Sequence, residues 1–173
     1  MTSSTDRARP RSYIWPITAA TVVQVIAFGS IMVGVFASQS EEPEAGGIFF
    51  ALGFALVPVV CAVTAFATRH PRAPMATLKG MGAWLVIGLP VSLLHPVIGL
   101  TAGFTAAGAI TLRSDVLRPG RYRAYAIAAM VLYEVVLLAI LPQAALLAGA
   151  VSPLLAVRLA DLFTEKKEEA LES

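Results

Sequence analysis

One carboxylate stands where a carboxylate is costly. Glu134 lies within AAMVLYEVVLLAIL, with apolar and aromatic residues on both sides. In hydrocarbon such a group must be neutralised, paired or turned to a polar cavity. Its chemistry is that of a proton or cation site, or of a polar contact that orders neighbouring helices. The plainer alternative is a protonated acid hydrogen-bonded within a bundle, beside Tyr133. His95, just before Pro96 in another apolar run, is a second titratable group. It either joins Glu134 in a relay or ligand pocket, caps backbone freed by a broken helix, or sits at an interface. Gln24, in the middle of the first apolar run, carries an amide that can bond across helices. Thr64, Ser92, Thr101 and Thr105 can each donate to the carbonyl four residues back on their own helix.

Beyond these groups the chain offers little chemistry. It has no CxxC, CxxCH or HExxH spacing, no GxSxG elbow around Ser92, no paired carboxylates and no glycine-rich phosphate loop. No catalytic site, metal site or cofactor is expected. Cys61, the single cysteine, sits in VPVVCAVTAF and reads as a small buried packing residue. The arginines of RSDVLRPGRYR, Arg113, Arg118, Arg121 and Arg123, are the densest basic cluster. They suit lipid headgroups or topology anchoring. A net charge of +2 with basic clusters flanking apolar runs gives no reason to expect nucleic acid binding.

The elements that hold these residues follow from where the charges are absent. Of 173 residues, 57% are hydrophobic and only 14% charged, against about 25% charged in a soluble domain. The charges gather at 6–11, 41–44, 69–79, 113–123 and 158–172, separated by nearly uncharged runs. That is the pattern of a polytopic membrane protein. Residues 1–12 are a polar N-terminus, 13–160 a transmembrane helical domain and 161–173 a charged tail. The first run, about 13–37, follows Arg7, Arg9 and Arg11 as a signal peptide would. It is longer than a cleavable segment, so it reads as a retained helix opened by Tyr13 and Trp15. A second helix is expected over about 48–68, after an acidic loop with Glu41, Glu42 and Glu44.

The run from about 81 to 112 would make a helix of about 48 Å, too long for a hydrocarbon core of about 30 Å. It contains Gly88, Pro90, His95, Pro96 and Gly99, and a basic segment follows it. Two crossings, about 80–94 and 97–112, return that basic segment to the side of the basic 69–79 segment; a re-entrant pair does the same. The last run divides at Pro142 into about 123–141 and 143–160. The expected fold is therefore all-α: a bundle of six apolar segments, two pairs forming tight or re-entrant hairpins. Four long helices are the alternative. The positive-inside rule puts the N-terminus and the basic loops in the cytoplasm. Usage rich in Ala, Gly, Val and Arg fits a GC-rich bacterial genome, and the default location is the bacterial inner membrane.

Small residues mark helix contacts. Gly99, Gly103 and Ala107 form one smooth face, and Ala51 and Ala55 another. The first is expected to serve an intrachain neighbour rather than a second subunit. Small size, short loops and few intramembrane polar groups suggest a non-catalytic membrane subunit or assembly partner, surrounded by lipid and joined to a larger membrane complex or to its own copies. The alternative is a small oligomeric carrier or channel that uses Glu134.

Overall fold

The computed structural model describes residues 14–39, 43–113 and 119–172, and these form six helices with no strand among them. They are α1 (Ile14–Ala37), α2 (Pro43–Ala67), α3 (Ala73–Ser92), α4 (Pro96–Thr111), α5 (Pro119–Ile140) and α6 (Pro142–Glu172). All but α4 are long and apolar enough to cross a membrane. Expectations that fall on Arg7, Arg9, Arg11, Tyr13, Glu41, Glu42, Asp115 and Arg118 lie outside the described residues.

Both long apolar runs fold back on themselves, which selects six segments over four. In the first, Gly88 and Pro90 do not end the helix. A π-helical turn over Trp84–Gly88 lies directly upstream of Pro90, whose ring would otherwise meet the carbonyl of Val86. The chain turns instead at Leu93–His95, where His95 is extended (φ −157°, ψ 123°) ahead of Pro96, as a residue before proline prefers. In the second run Leu141 alone separates α5 from α6, and the two helices pack side by side.

Four boundaries differ from the sequence-based expectation: α2 begins at Pro43, inside the expected acidic loop, and α5 at Pro119, inside the basic segment. Helix α3 starts at Ala73, so much of the 69–79 segment is helix, with proline in its first turn where a missing donor costs nothing. This extends α3 to 20 residues, long enough to cross. Helix α6 runs on through the charged residues to Glu172.

The connection from α2 to α3 is a Schellman-type stop built without glycine. Arg69 takes the left-handed conformation (φ 53°). The amide of His70 donates to Ala65 O at 2.8 Å and that of Arg69 to Phe66 O at 3.0 Å.

Helix α4 is the post of the bundle. Its sequence PVIGLTAGFTAAGAIT is dominated by small residues, nearly all of it is buried, and it touches the five other helices. Gly103 packs on Gly88, where an added Cβ would stand 3.0 Å from the Gly88 Cα. Gly99 packs on Ser92, and Ala107 O faces Gly80. The 99/103/107 face thus meets α3 of the same chain. Ala51 and Ala55, in contrast, lie on the exposed side of α2. That helix meets α1 through Gly46 and Gly53, which lack a Cβ and let the backbones approach more closely.

The bundle keeps an apolar core but, unlike a soluble protein, is apolar on its outside as well and buries several polar groups. Leu93, Leu94, Val86, Leu132 and Phe163 are exposed, while Gln24, Thr101, Thr105 and Glu134 are buried. Aliphatic side chains facing outward are stable in lipid, where they lose nothing by exposure.

A buried carboxylate beside the central helix

The buried face of α5 carries Ala126, Met130 and Glu134, spaced four residues apart. Glu134 is 0% exposed, and neither carboxylate oxygen has a hydrogen-bond partner among the described residues. Helix α5 touches only α4 and α6. The carboxylate therefore lies in the seam between those two helices. Counting from the turn at Leu141, Glu134 is seven residues back, about 10 Å along the axis.

Thr101 of α4 lies against α6, close to α1. A Cβ on Gly149 of α6 would stand 2.5 Å from the Thr101 hydroxyl and 3.1 Å from the Phe28 ring. The expectation that each threonine satisfies itself fails here. Thr64, Ser92 and Thr105 donate to the carbonyl four residues back at 2.7 Å. Thr101, 0% exposed, has no hydrogen-bond partner among the described residues. Gln24 reaches α6 from α1: its Nε2 donates to Ala150 O at 2.7 Å, and its Oε1 is unpartnered. Sequence reading named Glu134 and Gln24 as candidates, took Thr101 as satisfied on its own helix, and did not pair it with Gly149. The only available signal was a glycine and a threonine on separate helices, and nothing in their spacing pairs them.

His95 does not belong to this layer by position. It occupies the α3–α4 turn, about two helical turns nearer that end of the bundle than Glu134. It makes no side-chain cap bond to α4, and its Nδ1 has no partner.

The basic residues collect at the opposite end. The Arg113 amide donates to Thr68 Oγ1 at 3.3 Å, joining the end of α4 to the end of α2. Arg121 is exposed. Arg123 is half-buried and faces the charge of Asp161 on α6, so it ties two helices together as well as marking the boundary. Arg118 lies outside the described residues. His70, in the α2–α3 connection, has its pKa lowered by burial and then by the positive charges of Arg123 and Arg113. Its Nδ1 accepts from the Arg72 amide at 3.2 Å, which suits the neutral ring.

Cys61 is buried beside Gly80. No group of three or more His, Cys, Asp or Glu side chains able to hold a metal occurs among the described residues.

Fold and site together define an integral membrane helical bundle with a fully buried acid, Glu134, between its helices. No protein-family model, curated protein or solved structure matches the chain.

Proposed function

We propose that this protein is a small carrier or channel in which Glu134 is the ion-binding group. The observation behind this reading is the Glu134 carboxylate, fully enclosed and without a donor among the described residues. Ionisable groups inside membrane bundles mark proton and ion paths, because their burial is otherwise costly. Among the described residues, Arg69, Arg72, Arg113 and Arg123 share one end of the bundle. By the positive-inside rule that end faces the cytoplasm, with the N-terminus beside it. The bacterial inner membrane is the location this reading assigns. Six helices are few for a complete path, so several copies assemble around it.

Reconstitution into proteoliposomes tests this. Ion or proton flux should appear with the native chain and fall to the protein-free level in Glu134→Gln. Flux that survives Glu134→Gln removes the residue from the mechanism.

A second reading, a non-catalytic subunit of a larger membrane complex, draws on α5. Only 11% of its apolar window is buried, against 39% for α1. Tyr125, Leu132, Val136 and Ile140 are all exposed on it, leaving a broad face for a partner helix. Absence of flux from the native chain, with a partner retained through purification in mild detergent, would favour this reading over the first.

A further inference from the structure

We infer that the cleft between α5 and α6 at the basic end of the bundle holds an anionic phospholipid from the leaflet on that side. Tyr122, Tyr125 and Lys167 line a cavity of about 350 Å³ there, together with small residues that include Ala129 and Ala160. Sites for small ligands span about 300–1,000 Å³. The two helices pack side by side and run in opposite directions from the turn at Leu141, so the start of α5 lies beside the end of α6. Tyr122 and Ala129 stand two helical turns apart on one face of α5. Lys167 and Ala160 stand two turns apart on one face of α6. Tyr122 and Lys167 are therefore at the water-side mouth of the cavity, and the two alanines are about 10 Å deeper, toward the hydrocarbon.

A polar mouth over an apolar interior fits an amphiphile, and charge selects its headgroup. Lys167 is the one charged residue among those lining the cavity, and it is exposed. Arg121, next to Tyr122 in the chain, is exposed at the same end. A phosphodiester with net negative charge gains from Lys167, whereas a choline headgroup brings a second cation to it. Tyrosine hydroxyls can donate to phosphate oxygens. Tyr125 and Phe163 are 67% and 72% exposed, as aromatic residues at headgroup level are. Glu165, Glu168 and Glu169 flank Lys166 and Lys167 in the sequence. The tail as a whole is thus no attractor of anions, and the cavity singles out Lys167.

The full chain in a neutral detergent should bind phosphatidylglycerol saturably, and more tightly than phosphatidylcholine of the same acyl chains. Native mass spectrometry and a rise in unfolding temperature read this. Lys167→Gln should weaken the phosphatidylglycerol affinity about fivefold, and Lys167→Arg should keep it. Lys166→Gln, also exposed but outside the cavity, should leave it unchanged. Ala129→Leu, at an exposed position, should fill the cleft and abolish saturable binding with no change of charge. Unfolding temperatures without lipid that match the native chain show that these variants fold. Equal affinity for the two lipids overturns the inference, as does native affinity in Ala129→Leu. Equal losses in Lys166→Gln and Lys167→Gln overturn it too, because they mean diffuse attraction rather than a site. A delipidated chain that dimerises, shows no lipid preference and loses the dimer in Ala129→Leu assigns the cleft to a second copy instead.

Discussion

Replacing Gly99 by alanine should destabilise the bundle although it adds a single methyl group. The added Cβ would overlap the amide nitrogen, Cα and hydroxyl of Ser92. These are largely backbone atoms near a tight turn, where the His95 amide donates to Val91 O at 3.1 Å and that of Leu93 to Leu89 O at 3.3 Å. They cannot swing aside as the tip of a flexible side chain would. Overpacking of this kind reaches about 3 kcal/mol. The gain in helix propensity from glycine to alanine offsets about 1 kcal/mol of that. The net of about 2 kcal/mol lowers the folded-to-unfolded ratio roughly 30-fold. Gly82→Ala is the control: its Cβ meets nothing within 4 Å, so it should stabilise by about 0.5–1 kcal/mol. Reversible unfolding of both variants in mixed detergent micelles gives the comparison. Equal stability of Gly99→Ala and Gly82→Ala would refute close backbone contact between α3 and α4.

Acid should weaken the fold partly through His70. Its pKa is lowered in the folded state, so below the unfolded value of about 6.5 the unfolded chain binds more protons and stability falls with pH. His70→Asn should flatten that part of the stability curve between neutral and mildly acid pH; superimposable curves for the two proteins would show that the ring carries no such linkage. Topology can be read with single cysteines in a Cys61→Ala background. Leu94→Cys and Arg69→Cys should react with a membrane-impermeant maleimide from opposite sides, and labelling from one side only would exclude a full crossing by α3. Native Cys61, enclosed between helices, should label only after unfolding.

Much of the architecture was legible because lipid imposes a simple rule. Runs without charge must be helical, a run too long for one crossing must fold, and Pro96 and Pro142 mark where. The start of α3 was less legible, since Pro74 and Lys79 read equally well as loop or as first turns of a helix. Small-residue rows were ambiguous for a related reason. The 99/103/107 row and the Ala51/Ala55 row look alike as sequence, yet one meets α3 and the other is exposed. Which row a neighbour covers depends on helix rotation, and spacing along one helix does not encode the rotation of another.

The sequence by itself determined a polytopic helical protein, its hairpin turns and the presence of one acid within an apolar segment, because each follows from transfer of local stretches between water and lipid. Only the tertiary structure decided what surrounds that acid. Thr101, Gly149 and Gln24 come from three different helices and meet along α6, while Glu134 is enclosed on the face of α5 that α4 and α6 cover. Long-range packing set these contacts, and no local pattern of residues carries them.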